Sequence, residues 1–364
     1  MRELFRKEME SLESYTPGKP IEDVMREYGL TRVVKLASNE NPLGPSPKAI
    51  EALKEELASI HIYPDPGVVE LKAAIAKKHG VAPEQILCTN GGEAAIQMVS
   101  ISMLNEGDEV VVGDPSFSLY DIGAQLMGAT VRRIPLRPED GNYDLEAMLE
   151  AVNEKTKIFY LCNPNNPTGT IVTKDNLKKV VERLPEDVVL FLDEAYFEFA
   201  QIYPEYPDGL DILKTRPRTI VLRTFAKVCG IAGLRVGYIV STPDVITEVS
   251  KASTVFNVNR LAQRAALAAL EDEEHIEKSV ALARASLSRM MEYFNQRGWR
   301  YIKAAGNFIF VDVGTDTRKV YIDLQKEGVI VRPGFLWKWD NWLRISSGTM
   351  EETEILVEAL DKVL

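Results

Sequence analysis

The 364-residue sequence predicts an α/β protein: a large unit built on a mostly parallel sheet flanked by helices, followed by a smaller α+β unit. Three observations carry that expectation. From Ile86 onward, apolar runs of strand length alternate with segments of helical period, at the spacing of βαβ units. The residues best suited to chemistry fall at the ends of those runs, where such sheets gather their ligands. Beyond Tyr238 the alternation weakens into long helical stretches and short strands.

In chain order, Tyr15-Thr-Pro-Gly-Lys-Pro20-Ile-Glu holds too much proline and glycine for regular structure and reads as an ordered arm. Ala37-Ser-Asn-Glu-Asn41-Pro-Leu-Gly-Pro-Ser-Pro47 is dense in turn residues and leads into a helix near 49–60. Tyr63-Pro-Asp-Pro66 cannot be helical, and its prolines hold the tyrosine rigidly. Strands are expected at 86–89, 109–112, 131–136, 157–161, 188–192 and 219–222, with helices near 93–104, 119–127 and 144–152 between the first of them. The later part predicts helices at 261–270, 276–297 and 320–326, strands at 308–311, 329–331 and 343–345, and a last helix capped by Thr349-x-x-Glu352. The expected division is an arm over 1–40 that joins the smaller unit, a large unit over 41–257 and a small unit over 258–364.

A net charge of −11 argues against nucleic acid or an anionic membrane as partner, so any phosphate must be held by local arginines. No stretch approaches the roughly 20 apolar residues that span a bilayer. The first ten residues alternate charge with apolar side chains and have no signal-peptide character, so the cytoplasm is the expected location. Cys88, Cys162 and Cys229 lie far apart and are expected to stay reduced. His61, His79 and His275 form no metal-ligand pattern, which makes a zinc site improbable.

The most informative stretch begins where the apolar run Ile220-Val-Leu222 stops. Lys227 is trailed by small residues that allow close approach, and a lysine in apolar surroundings loses proton affinity. An uncharged amine attacks carbonyls. Arg235 and Thr224 flank it as phosphate donors, and amine plus phosphate donors suggest pyridoxal 5'-phosphate. Spacing alone fits equally well a lysine reaching out of a loop beside an ordinary ion pair.

Other candidates each carry a plainer alternative. Gly92 and Glu93 stand between strand and helix, where backbone N–H groups hold an anion or merely make a turn. Phe117 offers a face to a planar ring, or is core. Asn166, in Asn163-Pro-Asn-Asn166-Pro-Thr-Gly169, sits in a turn packed with backbone-fixing residues. Asp193 ends an apolar strand, where a carboxylate needs a positive charge or serves as a helix cap. Its neighbour Glu194 is expected to face solvent. Arg332 and Arg344 lie in apolar runs and want a planar anion or a structural ion pair.

Lys227-(x5)-Ala-Gly-Leu-Arg235-x-Gly-Tyr resembles the lysine segment of fold-type I aminotransferases, in particular the histidinol-phosphate aminotransferase family. The resemblance runs from Tyr15 to Thr349. It implies a Schiff base on Lys227, which also carries the proton, with Asp193 on the pyridine nitrogen and Asn166 and Tyr196 on the phenolic oxygen. Phe117 matches the ring that stacks on the cofactor. Gly92 and Glu93 stand where the family carries Gly-Ser-Asp-Glu, leaving backbone donors for a phosphate shared with Thr224 and Arg235. Tyr15, Asn41, Arg332 and Arg344 match substrate-binding positions, Arg344 through Leu343-Arg344-Ile-Ser-Ser-Gly-Thr.

Tyr63 matches a tyrosine that crosses a homodimer interface to the partner's cofactor phosphate. Two departures stand out. Ala226 replaces the family's usual serine, and Gly334-Phe-Leu-Trp-Lys-Trp-Asp-Asn-Trp342 is unusually aromatic, a stretch that either lines the substrate's path or packs on the N-terminal arm. The implied function is a pyridoxal-phosphate-dependent transfer of an amino group from histidinol phosphate to 2-oxoglutarate. A transaminase for aromatic or other amino acids, or a related decarboxylase or oxidase, shares the cofactor motifs. A non-catalytic metabolite-binding protein remains from another class, although no G-x-G-x-x-G follows the first strand.

Overall fold

A computed structural model describes residues 4–10, 12 and 18–364. Its strands are β1 (Val34–Lys35), β2 (Ile86–Thr89), β3 (Glu109–Asp114), β4 (Thr130–Pro135), β5 (Thr156–Cys162), β6 (Val189–Asp193), β7 (Thr219–Thr224), β8 (Gly237–Val240), β9 (Arg300–Ile302), β10 (Phe308–Asp312), β11 (Val329–Ile330), β12 (Arg332–Pro333) and β13 (Trp342–Ser346). The expected parallel sheet is present, in the order β2-β8-β7-β6-β5-β3-β4. All neighbouring pairs in it are parallel except those of β8, which runs against both β2 and β7.

Both faces of this sheet are covered, which is why its central strands read as unbroken apolar runs. Successive residues serve opposite layers. Phe191 packs with Ile96, Val99 and Tyr120 beneath the helices Gly91–Met103 and Leu119–Leu126, whereas Leu190 and Leu192 pack with Leu177 and Val180 of the helix Lys174–Arg183. Edge strand β4 carries charge instead: Arg132 forks onto Glu109 at 2.8 Å, and Arg133 meets Asp121 at 2.7 Å.

The C-terminal residues build an antiparallel sheet, β12-β13-β10-β9, backed by the helices Glu273–Arg297 and Met350–Val363. Thr349 and Glu352 cap the last helix reciprocally, as their spacing predicts. β1 pairs with β11, so the N-terminal segment joins this side of the molecule.

One boundary differs from expectation. The helix Ile21–Tyr28 starts within the stretch read as an arm, because Pro20 has the φ of −63° that leads into a helix and Val24 has a buried seat against Ala37 and Ile330. The division expected at 257/258 precedes the helix Arg260–Leu270, whose buried alanines share one core with Ala49, Leu71 and Ile75. The change of core falls inside Glu273–Arg297, where Val280 and Ala283 belong to that cluster and Leu287, Met290 and Phe294 to the small sheet's.

Glu194 does not face solvent. Asp193 continues the face of Phe191, so the next residue points the other way, and there it meets Arg223 of the neighbouring strand at 2.7 Å, with the two side chains only 1% and 2% exposed. Arg223 also binds Asp208 at 2.7 Å and lies 3.5 Å from the Phe197 ring centroid, and the Gly209 N–H donates to Glu194 at 2.7 Å. Removing one partner of such a pair leaves a buried charge uncompensated. Arg223→Ala should therefore lower the unfolding free energy by about 3–5 kcal/mol in urea titrations; a loss below about 1 kcal/mol would show that the network tolerates a gap.

Candidate active site

At the carboxyl ends of β5, β6 and β7, where they approach the small antiparallel sheet, lies a cavity of about 250 Å³. Lys227 stands in it, and its Nζ donates to the Ser38 carbonyl at 3.1 Å. Burial, helped by the charge of Arg344, lowers its pKa to about 8. Asp193 ends β6 on the same cavity. Its Oδ2 accepts from the Tyr120 hydroxyl at 2.6 Å and its Oδ1 from the Ala195 N–H at 3.0 Å. Burial raises the Asp193 pKa, while those donors and the nearby Lys227 oppose the rise. Tyr196 accepts from the Asn39 side-chain amide at 2.9 Å, and burial lifts its phenol far above the usual range, so it remains an O–H donor.

Two separate cationic ends flank this centre. At one, the helix Gly91–Met103 begins at Asn90 without a side-chain cap, which leaves first-turn N–H groups of Gly92 and Glu93 for an anion. Arg235 lies over this helix start. A Cβ on Gly91 would come within 2.8 Å of its Nη2, so only glycine admits the guanidinium there. Glu93 is 3.8 Å from Arg235, and Thr224 Oγ1 accepts from the Ala226 N–H at 3.1 Å. Ala226 has no hydroxyl to offer where the resemblance would place a serine, and its N–H is taken by Thr224.

At the other end, Arg332 and Arg344 face each other across β12 and β13, both buried. Like charges directly opposite are destabilising, so the acceptors around each guanidinium matter. Arg344 donates to Asn166 Oδ1 and to the Ala37 carbonyl, each at 2.5 Å, and the rings of Phe308 and Trp337 stand 5.6 and 5.4 Å from its guanidinium carbon.

Gly92, Glu93, Phe117, Asn166, Asp193, Tyr196, Thr224, Lys227, Arg235, Arg332 and Arg344, all singled out in the sequence, line this one cavity. Asn41 does not. Its amide ties the loop to the Val228 carbonyl and to Ser279, each at 2.8 Å, and the residue of that loop that does line the cavity is Asn39, held at a left-handed φ of 55°. Tyr63 also stands apart, 75% exposed and stacked on Phe256 at 4.4 Å. Tyr15 lies outside the described residues. Tyr120 went unnoticed in the sequence, although it follows Phe117 by three positions. Among the described residues, the aromatic stretch at 334–342 packs on Phe310, with Trp339 and Trp342 at 5.5 and 4.9 Å.

The cavity thus brings a buried amine, a buried carboxylate and three arginines together at the carboxyl ends of a mostly parallel sheet, as in an α/β enzyme. Residues 31–360 match the family described as aminotransferase class I and II, and the chain belongs to that family. It is 44% identical over 361 residues to histidinol-phosphate aminotransferase 2 of Carboxydothermus hydrogenoformans, covering 99% of both chains. It is 43% identical to histidinol-phosphate aminotransferase of Moorella thermoacetica, over 97% of this chain and 91% of that one. Among solved structures, histidinol-phosphate aminotransferase from Sinorhizobium meliloti in complex with pyridoxal-5'-phosphate superposes with a TM-score of 0.91 at 27% identity, over 99% of this chain and 97% of that one.

Because only the neutral amine attacks a carbonyl, the rate at which apoprotein takes up pyridoxal phosphate should rise with pH and level off above about 8, where Lys227 is deprotonated. Stopped-flow absorbance between pH 6 and 10.5 checks this. A rise continuing to the top of that range would mean an ordinary lysine.

Proposed function

We propose that this aminotransferase carries pyridoxal 5'-phosphate on Lys227 and moves the amino group of histidinol phosphate to 2-oxoglutarate. The observation that carries the substrate reading is the buried cross-strand pair Arg332 and Arg344, which places two guanidinium groups side by side on the cavity that Lys227 and Arg235 also line. The names of the relatives support it. The donor set fits the cofactor: Arg235, Thr224 and the N–H groups of Gly92 and Glu93 for its phosphate, Asp193 for a cationic ring nitrogen, Asn166 and Tyr196 for the ring oxygen and Phe117 for a ring face.

When bound, the cofactor supplies an electron sink for the charge left when the substrate carbon loses its proton. Lys227 is the group that takes this proton and returns it, because its lowered proton affinity lets it act as base and acid near neutral pH. Arg332 and Arg344 fix the substrate's anionic end so that its C–H bond stands within reach of Lys227. Tyr15 is proposed to join them at the same anion.

The tests separate chemistry from substrate choice. Lys227→Ala should lose turnover by several orders of magnitude, and near wild-type turnover would falsify its role. Charge-assisted bonds are worth roughly 1.5–3 kcal/mol, so Arg332→Ala should lower kcat/KM for histidinol phosphate by about one to two decades. For phenylalanine, whose carboxylate Arg344 would hold, the loss should be small; equal losses for both donors would remove Arg332 as the phosphate discriminator.

We also propose a homodimer in which Tyr63 reaches the partner's cofactor phosphate. Ile60, Ile62, Tyr63, Val255 and Phe256 stand exposed, and Arg260 pins the turn through the Ile62 and Tyr63 carbonyls. Dimers mixed from inactive Lys227→Ala and Tyr63→Arg parents should regain roughly a quarter of wild-type activity, since half the dimers are mixed and each mixed dimer has one intact site. Mixed dimers that stay inactive would place Tyr63 in its own subunit's site.

A further inference from the structure

We propose that Tyr120 is a positioning residue for the reaction: its hydroxyl, by donating to Asp193, keeps that carboxylate ionised and aimed at the ring nitrogen. The inference rests on the reading of Asp193 given above and adds the group that makes Asp193 fit for its part.

The geometry leaves Tyr120 little else to do. Its ring is stacked on Tyr160 with centroids 4.6 Å apart and planes 15° from parallel, and Phe117 meets it edge-on at 5.8 Å. The residue is 1% exposed, so its O–H needs an acceptor, and Asp193 Oδ2 lies 2.6 Å away. With Ala195 N–H on Oδ1, each carboxylate oxygen has one donor and the carboxylate plane is fixed. Donors to the charged form of a buried acid favour ionisation, and here they work against the cost of burial.

The other titratable groups around Asp193 do not replace this donor. Cys162, Tyr143 and Tyr196 are held protonated by burial, and no charge comes from them. Lys227 is the nearby cation that favours the carboxylate, but its own proton is loosened by burial and it is committed to the cofactor. Without the Tyr120 hydroxyl, Asp193 gains proton affinity and would hold a cationic ring nitrogen less firmly, which would weaken the electron sink that a bound cofactor supplies. The hydroxyl itself gives up no proton in this role.

Tyr120→Phe tests the idea, because it removes one oxygen and keeps the stack on Tyr160 and the edge contact with Phe117. In the holoenzyme, kcat with histidinol phosphate should fall about tenfold to a hundredfold while KM stays within about twofold. The acid limb of the kcat profile should move up by about one pH unit, since the carboxylate has become more basic. Independently of turnover, the apoprotein's affinity for pyridoxal phosphate, measured by fluorescence titration, should fall about tenfold.

An unmoved acid limb with unchanged cofactor affinity overturns the proposal, and so does a variant altered only in its melting temperature. Asp193→Asn, run alongside, separates the two ideas. If it keeps wild-type kcat, the reading of Asp193 is at fault; if it loses activity while Tyr120→Phe does not, only the role of Tyr120 fails.

Discussion

Charge that leaves water must find a partner, and this chain buries charge on both sides of the ends of β6 and β7. The pleat assigns the sides. Asp193 continues the face of Phe191 and turns to the cavity, while Glu194 turns away to Arg223, whose neighbour Thr224 again faces the cavity. The pair beneath is satisfied within the chain, through Glu194, Asp208 and the ring of Phe197. It fixes the two strand ends on which Asp193 and the approach to Lys227 stand. The cavity side carries Lys227, Arg235, Arg332 and Arg344 together with the carboxylates of Glu93 and Asp193.

Much of this was legible in the sequence because it rests on short-range signals. Apolar runs without alternation gave the buried strands, and the motif residues fell at their ends. Lys227, Asn166, Arg332 and Arg344 were found where backbone-fixing neighbours or apolar flanks made a polar residue conspicuous. Glu194 escaped because its partner lies 29 positions later, on the next strand of a sheet whose order the chain does not spell out. Tyr120 escaped for the same reason, since its acceptor is 73 positions away.

Asn39 and Asn41 show a subtler limit. Both sit in one turn-rich loop, and either asparagine suits a turn. The left-handed backbone at Asn39 sends one side chain to Tyr196 and leaves the other to tie the loop to Val228. The 25-residue helix Glu273–Arg297 joins two cores, and its sequence does not announce the change because it changes partner without changing period.

The loop from Ala37 to Asn39 joins the two sheets at the cavity. β1 is paired to β11 just before it, Ser346 of β13 exchanges hydrogen bonds of 2.8 Å with Asn39, and Asn307 donates to the Asn39 carbonyl at 3.1 Å. From this anchored position the Ala37 and Ser38 carbonyls accept from Arg344 and Lys227. Those acceptors are neutral. A bound anion would add ion-pair attraction to the guanidinium's hydrogen bonds, and a carbonyl carbon would offer the amine a covalent bond. The loop's carbonyls are therefore strong enough to orient Arg344 and Lys227 and weak enough to yield them. On the proposed reading, that difference lets one loop both organise the site and give up Arg344 and Lys227 to a ligand.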